Sequence, residues 1–112
     1  MPWRMGVNYD AATGQKLMLE NIAAVEMEQL MEFCANTILD LSKSEAYEEE
    51  MFFDGYESDV PEIVTDELWY FSETGMVFIS NVYHLTPYAA GILEFTIPYA
   101  ELEGIVKAEY LP

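Results

Sequence analysis

The residue types that most often carry catalysis are scarce in this chain. His84 is the only histidine and Cys34 the only cysteine, so a two-histidine metal site and a disulfide within the chain are excluded. A nucleophile paired with His84 would depend on a proximity that the sequence does not indicate. We expect His84 to make ordinary hydrogen bonds and Cys34 to be a small buried apolar residue. The sequence therefore predicts a chain that is not an enzyme and has no catalytic residue, cofactor or metal ion.

Carboxylates are abundant, with 21 acidic residues against 4 basic ones and a net charge of −17. This charge repels a phosphate backbone, so we expect no binding to nucleic acid. With so many carboxylates, the presence of acidic pairs carries no information about acid/base catalysis. The charge would attract a basic protein, although a purely solubilising surface would have the same composition.

The acidic residues are densest between Ser44 and Glu67, where no basic residue occurs and aromatic residues are interspersed. We interpret this stretch as the end of a helix followed by a long exposed loop through Gly55 and Pro61. Long loops often carry function, and this one would offer steering charge and ring anchors to a basic partner. The predicted partner-binding residues are Tyr47, Phe52, Phe53 and Tyr56, with Tyr83 and Tyr88 from a later connection.

Hydrophobic periodicity indicates the elements that position these residues. Loose alternation predicts strands at residues 4–9 and 15–19 around a turn that ends at Gly14. Apolar residues at spacings of three and four, with no proline or glycine, predict one helix from Glu20 to Lys43. The members of its apolar face are Ala23, Met27, Leu30, Met31, Cys34, Ile38 and Leu41.

After Asp66 the period becomes two. Two aromatic and β-branched runs, residues 68–72 and 76–80, predict a hairpin, and residues 92–97 predict a further strand that Pro98 ends. A short helix should follow from Tyr99 to about Lys107. We therefore predict a single α+β domain over residues 1–112, with an antiparallel sheet of about four to five strands, one long helix on a face and a short C-terminal helix. The other sheet face would be wet, or covered by a partner domain; if it were bare and apolar, it would favour a homodimer.

Several landmarks of the second half occur together in a characteristic order. They are Glu73-Thr74-Gly75, the strand from Met76 to Ser80, Tyr83, the run from Pro87 to Gly91, and Ile97-Pro98-Tyr99. In this order they resemble the domain of unknown function that ends the extracytoplasmic region of lysozyme-responsive, anti-sigma-V type factors. The same domain occurs in some peptidoglycan polysaccharide deacetylases. Upstream, Tyr9-Asp10 and Thr13-Gly14 are similar to the turn that precedes the long helix of that family.

This resemblance implies a location outside the cytoplasm and a role in binding, although no stretch of this chain is apolar and long enough to cross a bilayer and no signal peptide is evident. Two hypotheses remain open. The first is recognition of a basic protein such as lysozyme, and the second is a cell-wall glycan module that presents Trp69, Tyr70, Tyr83 or Tyr88 to sugar rings. Salt distinguishes them, because charge-driven recognition weakens at high ionic strength and stacking on neutral sugars does not.

Overall fold

A computed structural model describes residues 8–9, 13–44, 52, 55–81 and 92–112. The α-helices are α1 (Leu19–Ile22) and α2 (Met27–Ser42), and the strands are β1 (Trp69–Phe71), β2 (Gly75–Ser80) and β3 (Leu93–Pro98). Short 3-10 helices lie at Tyr56–Ser58, Val60–Ile63, Tyr99–Glu101 and Ala108–Tyr110. No helix in these ranges is both long and apolar enough to span a membrane. The predicted α+β class is confirmed.

The three strands form an antiparallel sheet in the order β1-β2-β3. Trp69 lies opposite Phe78, and Phe78 lies opposite Phe95, so three large rings share one face of the sheet. All three rings are fully buried. The hairpin and the further strand that the sequence predicts are therefore present, because large apolar residues at alternate positions, among them one ring from each strand, fill the core from one side.

Among the described residues the sheet has three strands, fewer than the four to five predicted. In the described part of the N-terminal region, the predicted pair of strands is a single bridge between Tyr9 and Lys16. The Leu17 N–H donates to the carbonyl oxygen of Asn8 at 2.6 Å. Leu19 already begins α1, so the segment is too short to extend the ladder.

Helix α2 packs against β3 and against the 3-10 helix Val60–Ile63. Leu30, Cys34 and Ile38 recur every fourth residue, and all three are fully buried. The predicted helix on a face of the sheet is confirmed, and Cys34 is a core residue as expected.

The predicted helix from Glu20 to Lys43 is wrong in one respect, because it is broken between Ile22 and Met27. Here the chain pairs with the C-terminal segment: Ala24 N–H donates to the Ile105 carbonyl at 2.8 Å, and Lys107 N–H donates to the Ile22 carbonyl at 2.8 Å. These bonds to a distant segment replace bonds that a continuous helix would make.

The predicted short C-terminal helix begins at Tyr99 as expected, but it does not extend to about Lys107. Only the single 3-10 turn Tyr99–Glu101 forms, and Gly104 then adopts a left-handed conformation with φ of 82°. The chain continues in an extended form beside the break between the two α-helices, where Val106 bridges Ala23. Helix propensity at this end is overridden by pairing with residues 22–24.

The sheet face opposite Trp69, Phe78 and Phe95 is covered at its centre. Val77 and Ile79 point to this face and are 3% and 0% exposed. The Tyr70 hydroxyl donates to Glu94 Oε2 at 2.7 Å, which joins the two outer strands across β2. The open apolar face that would favour a homodimer is therefore absent at these positions.

Candidate functional site

The two aromatic residues of the acidic stretch that the structure describes face inward. Phe52 and Tyr56 are each 7% exposed, and their rings stack with centroids 4.5 Å apart and planes inclined by 21°. The Tyr56 hydroxyl lies 2.9 Å from Ser42 Oγ at the end of α2, and this bond is buried. Such a pair contributes to the core and fixes Tyr56 at the end of α2.

Residues 55–64 are more regular than the exposed loop that the sequence predicts. Gly55 has a φ of 76°, which L side chains rarely adopt, and it starts the turn that carries Tyr56. Val60, Ile63 and Val64 are each 1% exposed. We call residues 55–64 the turn segment. Its apolar residues point into the core while its acidic ones face solvent.

The residues that the sequence predicts to bind a partner or a glycan fall into two groups: some are buried or half-buried in the structure, and the others lie outside the described residues. Phe52 and Tyr56 are core residues, so as placed they do not present ring faces to a partner. Trp69 is fully buried, and Tyr70 is half-buried with its hydroxyl bound to Glu94, so neither offers a free face to a sugar. Outside the described residues lie Tyr47, Phe53, Tyr83, His84 and Tyr88, whose assigned roles stay predictions.

Exposed carboxylates lie on both elements that meet where the turn segment contacts α2. Asp40 is on α2, and Glu57 and Glu62 are on the turn segment, which packs against α2. All three side chains are exposed. We call Asp40, Glu57 and Glu62 the acidic surface. Because Phe52 and Tyr56 are buried, these carboxylates can act on a partner through charge.

A second candidate lies at the other side of α1, in an open depression of about 290 Å³. Three segments build it: the residues after the N-terminal turn, α1, and the C-terminal residues that the bond from Lys107 N–H to the Ile22 carbonyl holds beside α1. We call it the lysine depression. Its lining residues are Thr13, Gln15, Lys16, Leu17, Glu20, Asn21, Lys107 and Tyr110.

Sequence reasoning missed this depression. Lys16 and Lys107 are two of only four basic residues in the chain, yet they lie at opposite ends of the sequence. Their convergence depends on the pairing of the C-terminal segment with residues 22–24, which no local pattern indicates. The sequence feature that could indicate such a site is the scarcity of lysine, because two of so few lysines would seldom meet at one place by chance.

The described residues show no arrangement typical of a catalytic centre. Burial raises the pKa of the Cys34 thiol from its ordinary value of 9.0 to about 12, so the reactive thiolate is disfavoured. Within the described ranges, no group of three or more His, Cys, Asp or Glu side chains is placed to hold a metal ion.

Most of the chain matches a known protein family. Residues 15–100 match the family described as a protein of unknown function, DUF3298. This chain belongs to the DUF3298 family. Among curated proteins, none matches the chain significantly.

Two solved DUF3298 proteins have similar folds. One, from Pseudomonas aeruginosa PAO1, has a TM-score of 0.68 at 18% sequence identity, and the similarity covers 95% of this chain. The other, from Bacteroides fragilis NCTC 9343, has a TM-score of 0.60 at 26% identity and covers 90% of this chain. This chain spans 47% and 40% of those two proteins, so it corresponds to less than half of each.

The sheet landmarks of this DUF3298 domain have a structural explanation. A Cβ added at Gly75 would lie 2.1 Å from the Ile97 carbonyl oxygen, so no larger residue fits there without movement of the backbone. The Tyr99 hydroxyl donates to the Ser72 carbonyl, and burial raises the pKa of Tyr99. Gly75 and Tyr99 therefore hold the β1–β2 turn against the end of β3.

Proposed function

We propose that this DUF3298 domain is an extracytoplasmic binding or sensor domain without catalytic activity, and that it recognises a basic protein such as lysozyme. The observation that supports this best is the acidic surface. Asp40, Glu57 and Glu62 are exposed on two elements that are held together, because Tyr56 of the turn segment is stacked on Phe52 and bonded to Ser42 of α2. Fixed charges of one sign favour a complementary partner.

The net charge of −17 extends this preference over the whole molecule. A field of this sign accelerates the encounter with a cationic protein at low salt and lowers the rate for an anionic one. The choice of lysozyme, and the extracytoplasmic location, rest on the resemblance of the Gly75 and Ile97-Pro98-Tyr99 landmarks to the domain of lysozyme-responsive anti-sigma factors. Membership of DUF3298 is compatible with this choice and does not specify a partner.

The buried rings change how the partner would be held. Phe52 and Tyr56 are in the core, so ring anchors would come from Tyr47, Phe53, Tyr83 or Tyr88, outside the described residues. The acidic surface then supplies steering and orientation, and its removal should affect the association rate more than the dissociation rate.

The test is calorimetric titration of the domain with lysozyme at low and moderate salt, with cytochrome c as an unrelated basic control. We expect saturable binding to lysozyme alone, weakened by salt because the exposed charges are screened over about 10 Å at 0.1 M ionic strength. Binding to both proteins, or to neither, would contradict the proposal.

A matched pair of variants locates the contact. In the first, Asp40→Asn, Glu57→Gln and Glu62→Gln remove three charges from the acidic surface. In the second, Glu101→Gln, Glu103→Gln and Glu109→Gln remove three exposed charges near the C-terminus. We expect the first to weaken lysozyme binding by about tenfold and the second by less, since close charge pairs dominate the recognition of a partner. Equal losses of affinity in the two variants would mean that lysozyme responds to the net charge of the domain and not to the acidic surface.

A further inference from the structure

The lysine depression is a surface of opposite character on the same acidic molecule. Its volume of about 290 Å³ lies near the lower limit of about 300 Å³ for small-molecule sites. A ligand the size of one sugar ring would fit in it. Most of its lining residues are exposed and polar, which distinguishes it from an apolar docking groove.

Two of the side chains that line the depression carry a positive charge. Among the described residues, the ammonium groups of Lys16 and Lys107 form no ion pair, although Glu20 lines the same depression. Two such ammonium groups in a chain with a net charge of −17 make a local region that attracts an anion. Lysine binds carboxylates and phosphates alike, as a compact point charge with three donors.

Uncharged donors and acceptors surround the two lysines. Asn21 Oδ1 accepts a bond from the Met18 N–H at 2.8 Å, which leaves its amide hydrogens for another acceptor. The Gln15 side-chain amide makes no hydrogen bond within the described residues, and Glu20 offers acceptor oxygens. Together with the lysines, these groups match an anion that also carries hydroxyl groups.

The backbone around the depression is held in place before any ligand binds. Leu17 N–H bonds to Asn8 and Lys107 N–H bonds to Ile22, so both lysines are attached to fixed main-chain positions. Leu17 is buried beneath them. A site with fixed attachment points loses less entropy on binding than a flexible one.

From these observations we propose that the lysine depression binds a small hydroxyl-rich anion of monosaccharide size, with Lys16 and Lys107 holding its carboxylate or phosphate. Gln15, Glu20 and Asn21 bind its hydroxyl groups. This proposal goes beyond the recognition of a basic protein, because it uses a different surface and a ligand of opposite charge.

The experiment titrates the complete chain with D-glucuronate, glucose 6-phosphate, glucose and inorganic phosphate, followed by NMR of the backbone amides. We expect saturable binding of D-glucuronate or glucose 6-phosphate, with shifts at residues 13–21 and 107–110. Binding of one but not the other identifies the acid group. The proposal is overturned if neither sugar anion binds at millimolar concentration, if glucose binds as well as they do, or if inorganic phosphate alone binds as tightly.

Matched variants assign the site. Lys16→Gln with Lys107→Gln should weaken binding about tenfold or more, which corresponds to ~1.4 kcal/mol or more. Lys43→Gln makes the same charge change at an exposed position outside the depression and should leave affinity unchanged. Equal losses in both variants would contradict a local site. Lysozyme binding in the double variant should be retained, so failure of this proposal is distinguishable from failure of the proposed function.

Discussion

The turn segment and the lysine depression differ in how far the local sequence predicts their role in the structure. The turn segment has an unusual composition, with acids and aromatic rings in close succession, yet its described rings are buried and support α2. The lysine depression has no local sequence signature, yet it joins unpaired charges in a concave surface. In the turn segment, the unusual composition reflects rings that pack in the core and acids that are exposed to solvent. The lysine depression, by contrast, is formed by residues that are remote in sequence.

The largest expected effect tests the core role of the turn segment. Tyr56→Ala should lower the free energy of unfolding by about 3–5 kcal/mol, because it empties a buried position and removes the buried hydrogen bond between Tyr56 and Ser42 Oγ, which keeps only its bond to the Leu39 carbonyl. Denaturant unfolding monitored by circular dichroism measures this change. Tyr9→Ala is the matched control, since Tyr9 is 63% exposed and its loss should cost within about 0.5 kcal/mol. A Tyr56 variant as stable as the Tyr9 variant would mean that the ring is free for a partner.

A smaller effect is expected at the sheet. Gly75→Ala should lower the free energy of unfolding by about 1–3 kcal/mol, because the added methyl group lies 2.1 Å from the Ile97 carbonyl oxygen and the strands must separate. Glu73→Ala changes an exposed residue of the same turn and serves as control. Thermal and denaturant unfolding of the two variants give the comparison. Unchanged stability in Gly75→Ala would show that β2 and β3 are less closely paired than described.

The third effect depends on pH and concerns the core side of α2. The pKa of Cys34 is raised to about 12 in the folded state, so folded protein retains a proton that unfolded protein loses above pH 9. Stability from this group is complete below pH 9 and falls by about 1.4 kcal/mol per pH unit above it. Cys34→Ala lacks this loss, so its unfolding free energy should decline less steeply between pH 9 and 10 than that of the unmodified chain. Parallel curves would contradict a buried thiol.

The contrast also explains what the sequence could predict. The hairpin and α2 follow local periods, and residues such as Trp69, Phe78 and Leu30 fill the core as those periods require. The break after Ile22 could not be predicted, because Ala23-Ala24-Val25 contains no proline or glycine and the competing hydrogen bonds come from residues 105–107. The same pairing brings Lys107 to Lys16, so the error in the helix and the missed depression have one cause.

The burial of Phe52 and Tyr56 illustrates the opposite limitation. Aromatic residues among acids are compatible with an interface and with a core-facing turn, and composition alone does not separate the two. Gly55 and the valine and isoleucine residues of the turn segment favour the second interpretation. Their spacing follows 3-10 turns, which are too short to produce a recognisable period.

The backbone bond between Ile22 and Lys107 has a consequence for folding kinetics. It closes a loop from residue 22 to residue 107, about three quarters of the chain, and the entropy of that closure must be overcome before the contact stabilises anything. Helix α2 and the hairpin of β1 and β2 rely on neighbours in sequence and should form earlier. We therefore expect the C-terminal segment to dock last. The lysine depression would then form only in the fully folded chain.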